Sequence, residues 1–362
     1  GLSGTGKTTT TFSKQGELTQ PIQDDMVTLW PGGEISITEN GCFAKTFGLS
    51  LENEPVIYKG TVNSDAWVEN VYQDTSREFD FFKEVLSPQE VDDYKDVLLF
   101  TFGNEDNINS YINGDVKAEN VIDRDGIPKD GWDFLVWTQN GRSIIPMHAV
   151  EDAADLHKIP SVKYMGILNR DEGRDAAVPG IVKFVSPDQA AGYFMLGETS
   201  KTSAAGKERG KTRSPFTQPF FPRRMELQAD RFKELVATMP GVSTWLMNTG
   251  FIGGDAKDVS EGNALKVKIR HSSAMLEALI GNKIKWKLDP DFGYYIVDVE
   301  APENKELVRL VPREILNPIC YYEKGKRMGE YRQWVIDLNH ARREFLESYY
   351  ISKNIIDSVV KG

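Results

Sequence analysis

Cysteine is nearly absent, because the 362-residue chain contains only Cys42 and Cys320. So few thiols exclude a disulfide framework, and no Cys-x-x-Cys pair is present to bind zinc. No apolar run approaches the roughly 18 residues that a transmembrane helix needs. The sequence shows no initiator methionine and no signal-peptide pattern, so a cytoplasmic location is the simplest expectation.

Basic residues are also in the minority, with 43 Lys and Arg against 54 Asp and Glu, which gives a net charge of -11. This balance argues against a general nucleic-acid binder, which would present a basic face. The hydrophobic content of 40% is high enough to bury a sizeable core and is unlike that of a disordered chain. An acidic chain that binds phosphates must therefore do so with local cations and a metal.

The chain opens with GLSGTGKT, which fits the phosphate-binding pattern G-x-x-x-x-G-K-[ST]. In such a loop backbone N–H groups surround phosphate oxygens, Lys7 places a charge near the β- and γ-phosphates, and the Thr8 hydroxyl binds Mg²⁺. A short helix should begin after Thr8, because a helix N-terminus favours phosphate. The residues predicted to bind the nucleotide here are Gly1, Ser3, Gly4, Thr5, Gly6, Lys7, Thr8 and Thr9.

An acidic pair, Asp24 and Asp25, follows Thr8 by 16 and 17 residues. The pair is predicted to end a strand, where at least one carboxylate would reach the metal beside the phosphate loop. Two adjacent aspartates alone are usually a solvated turn, but this distance from the loop favours metal binding. Thr8, Asp24 and Asp25 are therefore the predicted metal ligands, and the combination indicates nucleotide-dependent phosphoryl transfer.

The rest of the sequence alternates strand and helix signals, with no repeat and no low-complexity tract. Strands are predicted within 34–49, where a glycine break suggests a tight turn, and at 97–102, 162–168, 178–185 and 243–248. Helices are predicted after Thr8, at 229–239 and at about 330–350. These signals predict an α/β fold with a mixed, twisted sheet that carries the phosphate loop.

A polar segment at 197–219, GETSKTSAAGKERGKTRSPFTQP, interrupts this alternation. A long loop of this kind inside a compact domain is more often functional than decorative. We expect it to be a mobile lid that orders over bound nucleotide. Its five basic residues are Lys201, Lys207, Arg209, Lys211 and Arg213.

Short segments from residue 1 to about residue 320 resemble, in the same order, the ATP-dependent phosphoenolpyruvate carboxykinase family. They are GLSGTGKTTT at 1–10, the Asp24-Asp25 pair, ENGCFAK at 39–45, EPVIY at 54–58, ENV at 69–71, DQ at 188–189 with YF at 193–194, GKERG at 206–210, NTG at 248–250 and LNP at 316–318. Each segment is weakly specific, but the ordered set is highly specific. The GTP-dependent class has a phosphate loop ending A-C-G-K-T-N, which this sequence lacks.

The resemblance implies that 1–362 is a carboxykinase C-terminal catalytic domain that binds nucleotide. In the family a substrate domain precedes the phosphate loop, so the chain is expected to be an N-terminally truncated piece. The implied cofactors are ATP, Mg²⁺ and Mn²⁺, and the implied reaction converts oxaloacetate and ATP to phosphoenolpyruvate, CO₂ and ADP. A small-molecule substrate is expected, without nucleic-acid or membrane partners, and the sequence does not give the oligomeric state. The histidines, which match no family metal ligand, are His148, His157, His271 and His340.

Four further residues are implied to contact the nucleoside. Glu54 would lie near the ribose. Lys266 and Val267 stand where the family has an Arg-Ile pair against adenine, and Ser272 stands where it has a threonine. A lysine ammonium does not stack as a guanidinium plane does, so the cation-on-aromatic contact would survive only in part. The alternative interpretation of Lys266 is an exposed strand residue.

The catalytic residues implied by the resemblance are Lys7, Asp25 and Lys183. Lys183 is a departure, because the family reads P-P-V-S-R where this chain reads Pro-Gly-Ile-Val-Lys. An arginine fork binds phosphate or carboxylate in a bidentate way that a lysine does not reproduce. The segment NRDEGRDA at 169–176 also differs from the family, and Arg170 or Arg174 is a candidate for the missing guanidinium.

Two alternatives to a carboxykinase stay open. The first is a kinase on the same scaffold that uses ATP but phosphorylates another acceptor, and the change at Lys183 motivates it. The second is a nucleotide-binding regulatory module without turnover. The intact Lys7-Thr8 and Asp24-Asp25 pairs argue against the second alternative.

Overall fold

The computed structural model describes residues 11–12, 19–84, 86–94, 105–113, 115, 138, 140–201, 210–218, 220–221 and 224–361. Helices and strands alternate along these residues, and the largest sheet contains both parallel and antiparallel pairs. The predicted mixed α/β architecture is thereby confirmed. None of the helices in this described part is long and apolar enough to span a membrane.

The strands are short and are numbered in chain order. They are β1 (Val27–Leu29), β2 (Ile35–Ile37), β3 (Gly41–Lys45), β4 (Trp67–Glu69), β5 (Tyr72–Gln73), β6 (Phe79–Asp80), β7 (Arg142–Pro146), β8 (Tyr164–Asn169), β9 (Ile181–Lys183), β10 (Thr199–Lys201), β11 (Gly210–Thr212), β12 (Ser243–Asn248), β13 (Phe251–Ile252), β14 (Leu265–Lys266), β15 (Trp286–Leu288) and β16 (Tyr295–Val297).

The helices are mostly in the second half of the chain. They are α1 (Pro55–Thr61), α2 (Glu105–Ile112), α3 (Pro187–Leu196), α4 (Met225–Ala237), α5 (Ala256–Ser260), α6 (Ile269–Ile280), α7 (Lys305–Leu310), α8 (Arg313–Leu316), α9 (Pro318–Lys324), α10 (Met328–Ser348) and α11 (Lys353–Val359), with 3₁₀ turns at Met147–Ala149 and Pro302–Asn304.

The central sheet has the strand order β15-β16-β9-β12-β8. β12 runs parallel to β8 and antiparallel to β9. The register aligns Asn248 with Asn169, so the two parallel strands end side by side. Ligands usually bind at the carboxyl ends of parallel strands in an α/β sheet, so a ligand-binding site is expected at this end of the sheet.

Both faces of the central sheet are buried. Successive residues of a strand point to opposite sides of the sheet, so each strand contributes side chains to two cores. On one side Val182 and Leu246 belong to a core with Trp334 of α10. On the other side Ile181 and Met247 belong to a core with residues of α6. The inner strands therefore carry adjacent apolar residues, Ile181-Val182 in β9 and Trp245-Leu246-Met247 in β12, as strands covered on both faces do.

A second, three-stranded sheet has the order β3-β7-β4. Cys42 and Ala44 point inward with Ile145 and pack with Ile57 of α1 in a separate core. Phe12, from the helix predicted after the phosphate loop, is buried in the same core. This packing ties the residues directly following the loop to the second sheet.

The clearest sequence signals are confirmed at nearly the predicted bounds. The strand predicted at 243–248 is β12, and the helices predicted at 229–239 and 330–350 are α4 and α10, which begin four and two residues earlier. The strand predicted at 162–168 is β8, shifted by one or two residues. The segment 97–102 lies outside the described residues.

Two predicted strand regions differ in detail. The strands within 34–49 exist as β2 and β3, but β2 pairs with β1 and β3 pairs with β7. The strand predicted at 178–185 is only β9, because Pro179 cannot donate a ladder hydrogen bond and the N–H of Gly180 bonds instead to the carbonyl of Ile315.

Candidate functional site

The predicted phosphate loop lies outside the described residues. This applies to the predicted nucleotide-binding residues Gly1, Ser3, Gly4, Thr5, Gly6, Lys7, Thr8 and Thr9. The helix after the loop is described at Thr11 and Phe12. The roles predicted for Lys7 and Thr8 therefore stay predictions.

The acidic pair is not at the end of a strand, so that part of the prediction is wrong. Asp24 and Asp25 form a bend that precedes β1. The Gln23 side chain holds this bend, since its Oε1 accepts a hydrogen bond from the Thr38 N–H and its Nε2 donates one to the Thr38 hydroxyl, both at 3.2 Å. The conformation of the Asp24–Asp25 bend thus depends on a tertiary contact with Thr38, just after β2. The hydrophobic periodicity of the sequence does not reveal such a contact.

Negative charge is concentrated around this bend. Asp24 is buried and lies 3.7 Å from the Cys42 thiol, whereas Asp25 is exposed. Burial and then Asp24 raise the pKa of Cys42. Partial desolvation, and then the charges of Asp25 and Asp24, raise the pKa of Glu39. The carboxylates are thus close enough to repel one another, and a bound cation would relieve that repulsion.

The described carboxylates do not form a complete metal site by themselves. Among the described residues there is no group of three His, Cys, Asp or Glu side chains arranged to hold a metal ion. Glu54 is half-buried at the start of α1, where its N–H donates to the Ser50 carbonyl. Its charge makes a minor contribution to the raised pKa of Cys42, so Glu54 lies in the neighbourhood of that thiol.

The residues implied to face adenine are brought together at the end of β12. β13 pairs with β14 so that Phe251 is opposite Lys266, and the Lys266 Nζ lies 4.2 Å from the centre of the buried Phe251 ring. Val267 follows directly and is buried, and Ser272 is buried in the first turns of α6. Lys266 is therefore half-buried over an aromatic ring and is not the exposed strand residue of the alternative interpretation.

The electrostatics of Lys266 favour an anionic or electron-rich partner. Burial, followed by the nearby Arg170 charge, lowers the pKa of Lys266. Arg170 lies over the same Phe251 ring at 5.4 Å and pairs with Glu172 at 3.1 Å. Arg174, the other candidate guanidinium, is 81% exposed and only 3.9 Å from Glu330. Of the two, only Arg170 is placed beside the Phe251–Lys266 pair.

Lys183 lies elsewhere on the sheet. It is half-buried in β9 between Trp245 of β12 and Tyr295 of β16. Trp245 precedes Asn248 by three residues, so Lys183 is set back from the end of the sheet that carries the Phe251–Lys266 pair. The proximity of Lys183 to a transferring phosphate stays a prediction.

The second sheet carries a row of two cationic residues and one anionic residue that the sequence did not predict. Lys45, Arg142 and Glu69 are aligned across β3, β7 and β4. Arg142 is half-buried, and burial lowers its pKa. Its Nη1 donates to the Gly141 carbonyl at 2.8 Å, and no ion pair of Arg142 forms within the described part of the chain. The only sequence signal was Lys45, inside a segment that resembles the family.

The base of the predicted lid is formed by two paired strands. β10 and β11 form an antiparallel pair whose intervening residues, 202–209, lie outside the described residues. Lys211 pairs with Asp171 at 3.1 Å, and Arg213 pairs with Glu198 at 2.8 Å. Two of the five lid cations are therefore committed to internal ion pairs. Gly197 (φ 47°) marks the base, since a Cβ there would lie 1.7 Å from the Ser214 carbonyl oxygen.

Comparisons with known proteins find similarity to one enzyme family. The family described as phosphoenolpyruvate carboxykinase matches residues 1–89 and 94–304. A protein of Afipia carboxidovorans is 30% identical over 328 residues, 88% of this chain and 48% of that protein. One of Cereibacter sphaeroides is 29% identical over 342 residues (91% and 51%), and one of Allorhizobium ampelinum is 27% identical over 368 residues (99% and 54%). All three are named phosphoenolpyruvate carboxykinase (ATP), and the chain spans about half their length.

Proposed function

This chain belongs to the ATP-dependent phosphoenolpyruvate carboxykinase family, and on that premise we propose that it is the nucleotide-binding catalytic part of such an enzyme. The reaction would convert oxaloacetate and ATP to phosphoenolpyruvate, CO₂ and ADP. The observation that carries this proposal is the half-buried Lys266 held over Phe251, beside Val267 and Ser272, at the carboxyl end of the parallel strands.

The proposed nucleotide site combines this cluster with the phosphate loop. Lys266, Val267 and Ser272 would face adenine, Glu54 would lie near the ribose, and loop 1–9 would surround the phosphates. A half-buried cation over an aromatic ring suits a planar, electron-rich base. The residues from 1 to 362 would thus act as one catalytic domain, with the lid at 197–219 and α10 near its end.

The acidic bend suits a hard divalent cation. Carboxylate and hydroxyl oxygens are the ligands that Mg²⁺ and Mn²⁺ prefer, and the charges of Asp25 and Asp24 add to desolvation in raising the pKa of Glu39. Thr8, Asp24 and Asp25 are the proposed ligands. When bound, such a metal would stabilise the charge that develops on the enolate and on the transferring phosphoryl group.

Cationic side chains would supply the remaining stabilisation of negative charge on the phosphates and the substrate. Lys7 would approach the β- and γ-phosphates, and Asp25 would help to hold the metal ion. Lys183 is retained as a candidate substrate-facing cation. Lys45 and Arg142 are proposed in addition, because they are neighbours across β3 and β7 and the partly desolvated Arg142 guanidinium forms no ion pair among the residues that the structure describes.

A kinase that phosphorylates a different acceptor is the second candidate. The observation that favours it is the lysine at position 183, between Trp245 and Tyr295, where the family has an arginine. Comparing Lys183→Arg with wild type separates the two candidates. In a carboxykinase the variant should keep or improve kcat/KM for oxaloacetate, whereas in a rebuilt acceptor pocket the larger fork should lower activity.

Nucleotide binding itself is tested by calorimetric titration of Mg-ATP into wild type and Lys266→Ala. Loss of a cation–aromatic contact to the base should weaken binding about fivefold to thirtyfold, corresponding to about 1–2 kcal/mol. Lys257→Ala is the matched control, because that lysine is 82% exposed on α5 and should leave affinity unchanged. Equal affinity of wild type and Lys266→Ala would contradict the proposed adenine site.

A further inference from the structure

A single buried carboxylate, Asp171, joins three chain segments at the end of the central sheet. Asp171 is 2% exposed, and its Oδ2 accepts hydrogen bonds from the N–H groups of Ala177 and Val178, both at 2.9 Å. Its own N–H donates to the Asn248 side chain at 3.1 Å. Burial raises the pKa of Asp171, and the charge of Lys211 opposes that rise.

Lys211 reaches Asp171 from the base of the lid. Lys211 is 13% exposed in β11, and its Nζ lies 3.1 Å from Asp171 Oδ1 and 3.0 Å from Asp175 Oδ2. The same ammonium lies 5.0 Å from the centre of the Trp334 ring in α10. A neighbouring contact reinforces the link, because the Ser200 N–H of β10 donates to the Arg170 carbonyl at 2.7 Å. The hairpin is therefore fastened to the loop that carries Asp171.

The other side of Asp171 leads to the proposed adenine site. Its carbonyl accepts the Phe251 N–H at 2.8 Å, and the Asn248 amide donates to the Phe251 carbonyl at 3.1 Å. The Val267 N–H in turn donates to the Gly250 carbonyl at 2.9 Å. The backbones of Gly250 and Asp171 lie so close together that a Cβ on Gly250 would be 2.1 Å from the Asp171 carbonyl oxygen. Phe251 thus cannot move without disturbing Asp171.

We propose that Asp171 and Lys211 are positioning residues that set the placement of Phe251 and Lys266 from the base of the lid. The proposal rests on the proposed function, in which Phe251 and Lys266 bind the base of ATP. Neither positioning residue touches the nucleotide. Their effect passes through the Asp171 carbonyl to the Phe251 N–H, and from there across the β13–β14 pair to Lys266.

Lys211→Met tests the pair, because methionine keeps the apolar stem over Trp334 and removes the charge. We expect the Kd for Mg-ATP to rise about tenfold, since an ångström-scale misplacement of binding groups has effects of that size or larger. Lys211→Arg should restore most of the affinity. The control is Lys233→Met, which removes a more exposed ion pair with Asp188 (2.8 Å) that joins α4 to α3.

A double variant separates coupling from simple loss of stability. Asp171→Asn combined with Lys211→Met removes both charges, while the asparagine oxygen can still accept from Ala177 and Val178. We expect it to bind Mg-ATP more tightly than Lys211→Met alone, because no uncompensated buried carboxylate remains. Additive losses in the two single variants and the double variant would overturn the proposed pairing.

Hydrogen–deuterium exchange without nucleotide makes the test independent of the proposed function. Lys211→Met should speed exchange at the amides of Phe251 and Val267, and Lys233→Met should not. Unchanged exchange at both amides, or the same loss of affinity in Lys233→Met, would overturn the positioning proposal. A wild type that shows no Mg-ATP binding but shows the exchange effect would instead contradict the proposed function and leave the positioning pair intact.

Discussion

Replacing Glu198 with glutamine should lower the free energy of unfolding by about 3 kcal/mol at neutral pH, because it breaks a buried ion-pair network. The Glu198 carboxylate is 6% exposed and binds two guanidiniums. Arg213 approaches it from the lid base at 2.8 Å, and Arg342 approaches from α10 at 2.7 Å. Removing the one carboxylate leaves two buried or nearly buried cations without their partner.

The pKa of Glu198 gives the same magnitude independently. Burial alone would raise it, but Arg342 and Arg213 outweigh burial and lower the pKa from 4.5 to about 2. Since the folded-state pKa is below the unfolded-state value, the stabilisation is complete well above pH 4.5 and is lost as the pH falls toward 2. A shift of this size corresponds to about 3 kcal/mol, of which about two thirds should be gone at pH 3.

Urea unfolding of wild type and Glu198→Gln from pH 7.5 down to pH 3 measures both effects. The difference between the two proteins should be largest above about pH 5.5 and should shrink toward pH 3. Glu151→Gln is the control, since its pair with Lys59 is more than half exposed and should be worth less than about 1 kcal/mol. A difference that stays constant with pH, or one as small as in the control, would refute the reasoning.

Three further predictions concern the fold and the lid. Asp289→Asn should stabilise the protein by up to about 3 kcal/mol at pH 7–8 and should have no such effect at pH 4. Burial raises the pKa of Asp289 to about 6, so the folded protein holds an unfavourable buried charge above that pH. Urea unfolding midpoints of wild type and variant at both pH values test this. Gly166→Ala should lower the Tm and reduce the free energy of unfolding by about 1–3 kcal/mol, because the new Cβ would lie 2.1 Å from the Trp245 ring. Gly329→Ala is the control, because a Cβ there meets open space and should leave the Tm unchanged. Equal melting temperatures of the two variants would contradict this. Trypsin should cut first within 197–219, and cleavage should slow with Mg-ATP plus substrate; equal rates with and without ligand would count against a lid.

The fold was most predictable where burial leaves a strong local pattern. β12 could be bounded correctly because its residues are apolar on both faces and a glycine-bearing segment follows. The bend at Asp24 could not be predicted, because the Gln23 contacts to Thr38 that hold it are tertiary. Strand partners were equally hidden, since β3 pairs with β7 across about a hundred residues of sequence.

Site residues that belong to a sequence motif could be predicted, whereas residues that are brought together only by strand pairing could not. Lys266, Val267 and Ser272 were named from a motif resemblance, and the pairing of Lys266 with Phe251 is what the structure adds to them. Arg142 was missed because its alignment with Lys45 depends on the register of the second sheet. The links of Asp171 to Lys211 and Phe251 were hidden for the same reason, since they join residues 40 and 80 positions apart.

The most direct test of the central claim is product formation by the full-length protein, because the chain spans only about half the length of its curated relatives. Oxaloacetate and ATP are supplied with Mg²⁺ and Mn²⁺, and phosphoenolpyruvate and ADP are quantified in wild type, Lys7→Ala and Asp25→Ala. We predict equimolar phosphoenolpyruvate and ADP from wild type and no turnover from either variant, with all three proteins folded. No phosphoenolpyruvate from a wild type that binds Mg-ATP would contradict the carboxykinase function, and near-native turnover in either variant would contradict the role given to that residue.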